Sequence, residues 1–294
     1  MIPVVFSTDH RYVMPTGVAM QSLLECSMDA EVEVFILQSD SVTDDDRKMF
    51  QLICDKFKTK LTFLSMGNQF NDSFEIRNIT IASYYRLLIP WLIPQYDKVV
   101  YCDGDVVFCN SVKQLYEIEL GDYLFAAICP YKHDKHLYKD HAHELGLQPN
   151  EYYQSGVLLV NSKAQREANL REVLLKEAKK EYIFVDQDII NVVCQNRIME
   201  LPLRFNISQS LYRSFFQHDS HESPVIIHYS GVKPWDNYVY GWWRWWNVYC
   251  RSPFYKEDRE FLIFDNSFRS SRNKKRKRFL KKVKSLFKLL LMRD

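Results

Sequence analysis

Short apolar runs recur along the first hundred residues, separated by segments whose apolar positions fall three and four apart. "IPVVFSTD" from Ile2 predicts a strand, and "GVAMQSLLECS" from Gly17 carries helical spacing. "EVEVFILQSD" from Glu31 predicts a second strand. "SVTDDDRKMFQLICDKF" from Ser41 predicts a helix, with Thr43 as its N-cap and acids in its first turn. "KLTFLSM" from Lys60 reads as a third strand, "IASYYRLLIPWLIP" from Ile81 as a helix ended by prolines, and "KVVYCDGDVVF" from Lys98 as a fourth strand. Alternation of this kind predicts an α/β fold with a largely parallel sheet. Runs as apolar as "KVVYC" suit strands covered on both faces.

The middle is less regular. "YLFAAICPY" from Tyr123 and "SGVLLVNS" from Ser155 predict strands, with the polar, His-rich stretch "KHDKHLYKDHAHELGLQPNE" between them. "QREANLREVLLKEAKKE" from Gln165 predicts one amphipathic helix, "DQDIINVVCQ" from Asp186 opens another, and "SPVIIHYS" from Ser223 is a late strand. "WDNYVYGWWRWWNVYC" is densely aromatic; its tryptophans at 242, 243, 245 and 246 suit the core, a cleft or an interface equally.

Composition narrows the class. With 47% hydrophobic and 26% charged residues the chain predicts a packed globular core. No apolar run is long enough to span a bilayer, and the N-terminus reads as a first strand and not as a signal peptide. Seven scattered cysteines without a CxxC pair suit reduced thiols in the cytoplasm better than a disulfide or zinc framework. The net charge of +2 hides an asymmetry: residues 269–294 hold 12 Lys and Arg against 1 acid, leaving 27 basic against 36 acidic residues in the body.

Chemistry is first suggested by "DGD". On a regular strand Asp103 and Asp105 would share a face about 7 Å apart. Gly104 between them permits a tight bend. Two converging carboxylates repel unless a cation neutralises them, and a hard divalent ion suits oxygen ligands. A polar loop with solvated acids is the plainer alternative. In "IIHYSGVKPW", His228 could be a hydrogen-bonded core residue or a third ligand, better for Mn²⁺ than Mg²⁺. Gly231 allows close backbone approach, and Lys233 offers a point charge for phosphate. In "FVDQDII", Asp186 and Asp188 bracket Gln187 at a helix start, where capping is one role and polyol binding another. In "FSTDHRY", Asp9 could accept from a base and Tyr12 stack on it. Arg86, alone on an apolar helix, either snorkels or enters a site. Neither GxGxxG nor GxxxxGK[ST] is present.

Taken in order, "VVFSTDHRY", "ASYYRLLIP", "KVVYCDGDVVF", "YQSGVLLVNS", "FVDQDIIN" and "IIHYSGVKPW" resemble glycosyltransferase family 8, the retaining, metal-dependent family that includes lipopolysaccharide galactosyl- and glucosyltransferases and glycogenin. The resemblance implies a GT-A fold over residues 1–250, with a mixed, mostly parallel central sheet, and a UDP-sugar donor. It implies that Asp103, Asp105 and His228 hold Mn²⁺, with Mg²⁺ as the alternative, and that Gly104, Gly231 and Lys233 lie at the diphosphate. Asp9 and Tyr12 would meet uracil; Arg86, Gln154, Asp186 and Gln187 would line the sugar, the last two as the catalytic candidates. Arg11, Gln154 and Pro130 depart from residues common at these places in the family.

Residues 251–294 predict an extension. Phe279, Leu280, Val283, Leu286, Phe287 and Leu290 fall on one helical stripe among lysines and arginines, the pattern of a helix on an anionic membrane surface. Each basic residue there is worth about 1 kcal/mol. This predicts a lipid-linked saccharide acceptor, peripheral attachment at the inner face of the plasma membrane, and no nucleic-acid partner. A sugar nucleotidyltransferase and a sugar-nucleotide-binding scaffold without turnover are the alternatives; the first lacks its Gly- and Arg-rich phosphate loop here.

Overall fold

The alternation of the first hundred residues builds one side of a sheet. In the computed structural model, which describes residues 1–67, 69–70, 72–74, 80–218 and 222–256, β1 (Ile2–Thr8) is buried along its whole length. It pairs in parallel with β2 (Val32–Gln38) on one side and β4 (Lys98–Cys102) on the other. β3 (Lys60–Ser65) adds to the outer edge of β2. Between β1 and β2 runs α1 (Val13–Cys26), and between β2 and β3 runs α2 (Asp44–Phe57). The chain thus leaves β1 in one direction and returns to its other flank through β4. That reversal of strand order opens a crevice at the carboxyl ends of β1 and β4, the usual ligand position in open α/β sheets.

The full sheet runs β3-β2-β1-β4-β7-β6-β8, where β6 is Phe125–Ala127, β7 Val157–Asn161 and β8 Ile198–Glu200. Only β7 runs against its neighbours. Side chains alternate through the sheet to two apolar layers. Val4 and Phe6 join α1 and α2, while Val5 joins Tyr84, Leu88 and Ile189 on the opposite face. A second sheet, β5-β10-β9, is made of Val106–Phe108, Ile226–His228 and Ile207–Ser208.

Three elements differ from the sequence expectation. "KVVYCDGDVVF" is not one strand. β4 ends at Cys102 and the chain turns through Asp103–Gly104–Asp105 before β5 joins the second sheet. The Asp103 N–H donates to the Gly156 carbonyl at 2.8 Å, and the Tyr229 N–H donates to the Asp105 carbonyl at 2.9 Å, so each half of the turn is claimed by a different sheet. "IASYYRLLIPWLIP" is a 3-10 helix over Ile81–Leu88 followed by one α turn, Ile89–Leu92. The segment from Gln165 splits into Ser162–Glu167 and Arg171–Glu177, broken where Asn169 takes a left-handed φ of 52°.

The capping reading of α2 is met in full: Thr43 Oγ1 accepts from the Asp46 N–H, and Asp46 returns a carboxylate to the Thr43 N–H. Of the tryptophans, Trp245 and Trp246 are core residues on the helix Trp242–Tyr249, and Trp243 is half exposed. Beyond that helix the Phe254 ring lies over Gly17 of α1, where a Cβ would sit 2.0 Å from it. All seven cysteines are free. No helix among the described residues is long and apolar enough to cross a membrane. The basic tail and its apolar stripe lie outside the described residues.

Candidate active site

The crevice at the ends of β1 and β4 encloses a cavity of about 330 Å³. While Asp188 lies behind its wall, the structure brings to this cavity the residues that the resemblance assigned to a site: Asp9 and Tyr12 after β1, Arg86 from the 3-10 helix, and Asp103, Gly104 and Asp105 at the β4–β5 turn. Gln154 precedes β7, Asp186 and Gln187 open the helix Val185–Val193, and His228, Gly231 and Lys233 follow from β10. Four carboxylates and two permanent cations line this space, so its balance is anionic.

Asp103, Asp105 and His228 offer ligand atoms that all lie within 4.8 Å of one another. His228 Nε2 is 3.2 Å from Asp105 Oδ1 and 3.8 Å from Asp103 Oδ2. The ring's other nitrogen faces Asn206 Oδ1 at 3.1 Å, and Asn206 spends its Nδ2 on Gln154 Oε1 at 3.2 Å. That network assigns the imidazole proton to Nδ1 and turns the Nε2 lone pair toward the carboxylates. Three acceptors pointing at one another are repulsive unless a proton or cation lies between them. Two carboxylate oxygens and one imidazole nitrogen form a donor set that suits Mn²⁺ and, less well, Mg²⁺. Gly156 makes the space: a Cβ there would stand 2.2 Å from His228 Cε1 and 2.9 Å from Asp103 Oδ2. Gly104 fits as closely to α1, its imagined Cβ 2.2 Å from Thr16 Oγ1.

Two cations serve this acid cluster differently. Lys233 Nζ donates to Asp105 Oδ2 and to the Tyr229 carbonyl. Burial works most strongly against its charge, but Asp105 and Tyr12 together outweigh burial and raise its pKa. For Asp105, burial would favour the neutral acid; the Lys233 ammonium, and the His228 ring when its Nε2 also carries a proton, instead hold the carboxyl below its ordinary range. Tyr12 is pushed up to about 12, by burial first and then by Asp105. Its ring stands edge-on to Trp235, and the Lys233 ammonium lies 5.9 Å from its centre.

Arg86 does not snorkel. It is 5% exposed, and its guanidinium carbon lies over the Tyr101 ring, 4.4 Å from its centre. Its Nη2 reaches Asp103 Oδ1 at 2.8 Å and its Nε reaches Asp186 Oδ2 at 3.0 Å. Nη1 donates to the Ser155 carbonyl at 2.8 Å. Asp186 is also held by Ser155 Oγ at 2.9 Å. Burial lifts its carboxyl to about 6 although Arg86 pulls the other way. The Gln187 amide oxygen accepts from the Ser155 N–H at 3.2 Å, and its nitrogen donates to Tyr152 Oη at 2.9 Å. Asp9 caps the turn His10–Tyr12: Oδ1 takes the Tyr12 N–H, while Oδ2 takes Arg11 and the Thr80 hydroxyl.

Sequence reasoning missed Ser155, Gly156 and Asn206. The first two sit in the quoted "YQSG", where nothing in the spacing marks them. Asn206 sits in "FNIS" between elements and acquires a role only through its contacts with His228 and Gln154.

A doubly covered α/β sheet with an acid-glycine-acid turn at its switch point is the GT-A arrangement. The chain belongs to glycosyltransferase family 8: residues 3–238 match the family described as Glycosyl transferase family 8. It is 24% identical over 253 residues to the lipopolysaccharide glucosyltransferase WaaO of Escherichia coli K12, covering 81% of this chain and 74% of that protein. It is 26% identical to general stress protein A of Bacillus subtilis 168, covering 80% and 87%. Among solved structures, the galactosyltransferase LgtC in complex with donor and acceptor sugar analogues superposes with a TM-score of 0.75 at 23% identity. That match covers 89% of this chain and 100% of the other.

Proposed function

We propose that the chain transfers a hexose, galactose or glucose, from a UDP-sugar to a saccharide acceptor on a lipid-linked glycan of the lipopolysaccharide type, with retention of anomeric configuration. The observation that carries this reading is the convergence of Asp103, Asp105 and His228 on one point beside Lys233. The names of the relatives, a lipopolysaccharide glucosyltransferase and a lipopolysaccharide 1,3-galactosyltransferase, support the donor and acceptor classes. Residues 1–250 form the catalytic unit of this proposal. Residues 251–294 are its membrane-associating extension at the cytoplasmic face.

Asp103, Asp105 and His228 would hold Mn²⁺, which supplies Lewis acidity toward the departing diphosphate. Lys233 binds that diphosphate, and its fixed charge is worth most as negative charge develops in the transition state. Tyr12 presents its ring to the base. As the anomeric C–O bond breaks, its electron pair leaves with UDP and the sugar gains oxocarbenium character. The acceptor hydroxyl forms the new bond from the same face, and its proton passes to the departing phosphate. Retention by double displacement would need a nucleophile beneath the sugar. Asp186 is engaged by Arg86 and Ser155, and Gln187 is an amide bonded at both ends, which supports front-face attack.

The test titrates UDP-galactose and UDP-glucose into the protein with Mn²⁺ and then with EDTA, following binding and UDP release. Metal-dependent binding with slow UDP release is expected, and the tighter donor identifies the sugar. No binding of either donor in Mn²⁺ would sink the proposal.

A further inference from the structure

The polar, His-rich stretch between β6 and β7 has no part in the reading above, yet it reaches the cavity wall. Asp188 is fully buried. Its Oδ1 faces His141 Nε2 at 2.8 Å and also takes the Tyr152 hydroxyl. Its Oδ2 accepts the Phe184 N–H at 2.9 Å. A carboxylate only accepts, so His141 Nε2 and Tyr152 Oη are both donors. Tyr152 Oη in turn accepts from Gln187 Nε2, and Gln187 Oε1 is closed by the Ser155 N–H. Each bond has one possible direction, so the Gln187 amide cannot flip without leaving a buried polar group unpaired. The outer end, His141, is the exposed one, with 13% of its side chain open to solvent.

The same carboxylate bears on the backbone. Val185, a β-branched residue, takes φ 36° between Phe184 and Asp186. Such a conformation persists only where the surroundings over-determine it. The Asp188–Phe184 bond fixes the residue immediately before it. Tyr138, itself left-handed at φ 56°, packs on Tyr152 and edge-on to Phe184, with ring centres 5.1 and 5.2 Å apart, and lines the cavity. His141 stands edge-on to Phe184 at 4.8 Å.

We propose that His141, Asp188 and Tyr152 form a positioning chain that sets the Gln187 amide and the strained Val185–Asp186 backbone against the donor sugar, without touching the reactants. This rests on the reading of the cavity as a UDP-sugar site. The chain makes the segment after β6 a working part of the wall: a contact at the His141 surface is transmitted to the sugar pocket and not to the nucleotide end.

The test uses the full chain and measures kcat and donor KM by UDP release, with UDP affinity by titration. Tyr152→Phe removes one oxygen; it is expected to lower kcat roughly 10- to 100-fold, the scale of a small misplacement at the reacting centre, with UDP affinity unchanged. His141→Leu is expected to act alike, and His141→Gln, which restores a donor near Nε2, to recover most of the loss. Equal kcat in wild type, Tyr152→Phe and His141→Leu would overturn the inference alone, and so would a parallel loss of UDP affinity or a failure of His141→Gln to rescue. A wild-type chain that releases no UDP from any hexose donor would overturn the reading of the cavity and the inference together.

Discussion

The chain writes acid–x–acid twice at its cavity, as Asp103–Gly104–Asp105 and as Asp186–Gln187–Asp188, and Arg86 bridges the first acid of one triplet to the first acid of the other. In the first, both carboxylates turn toward one imidazole nitrogen, at 3.8 and 3.2 Å. In the second, the acids part. Asp186 goes to Arg86 and Ser155 at the cavity, while Asp188 goes to His141, Tyr152 and the Phe184 N–H behind it. The backbone explains the difference. The first triplet is a turn whose two halves are held by different sheets, which brings its acids together, whereas on a helix positions two apart lie about 200° apart around the axis. The first triplet leaves a strand through glycine; the second opens the helix Val185–Val193. One pattern therefore gathers charge for a ligand, and the other divides its acids between a site and a scaffold.

Substitution should separate the triplets. Asp103→Ala or Asp105→Ala is expected to reduce turnover by roughly 1000-fold or more, since it removes electrostatic stabilisation at the reacting bond. Near-normal UDP release in either variant would remove the paired-acid cluster from the chemistry. The second triplet should respond in stability. Asp188→Ala strands His141, the Tyr152 hydroxyl and the Phe184 N–H, and is expected to cost about 3–5 kcal/mol in urea unfolding. Asp186→Asn should be much milder and depends on pH. The folded state raises the Asp186 carboxyl to about 6, so it favours the proton, and the stability this group contributes is present below about pH 4 and lost as pH rises through 6. The wild-type stability of the metal-free protein should thus fall relative to Asp186→Asn across that window; parallel curves would contradict the assignment.

Two smaller effects sharpen the contrast. Gly156→Ala places a methyl against His228 and Asp103, and should weaken Mn²⁺ binding roughly 10- to 100-fold by titration, the size of a displaced outer-shell contact. Unchanged affinity would show that the imidazole can move aside. A third acidic run, Asp44–Asp45–Asp46, serves as the control: its acids lie in the first turn of α2, where Asp46 caps the helix and Asp44 and Asp45 pair with Arg47 and Lys48. Thr43→Ala should cost about 1 kcal/mol of stability and leave UDP release untouched.

Much of this was legible from residue order. β1, β2, β3 and α2 fall where the apolar periodicity put them, and Thr43 is the N-cap expected of it. The bend at Gly104 was legible but the change of sheet was not, because Cys102 and Val106 look equally strand-like; the switch depends on Gly156 and Tyr229 claiming the two halves of the turn. Arg86 was ambiguous for the same reason, since snorkelling and burial differ only in whether Asp103 and Asp186 are within reach.

The sequence alone determined the strand–helix alternation, the placing of acids where strands end, and the ordered motifs that mark the family. These are local properties, set by side-chain periodicity, backbone freedom at glycine and capping within one turn. Only the tertiary structure decided which acids converge, which nitrogen of His228 faces them, that Gly156 leaves room for them, and that His141 stands behind Gln187. Those facts depend on residues far apart in the chain meeting across the sheet, and such encounters are fixed by packing and by the pairing of every buried polar group, not by any local pattern.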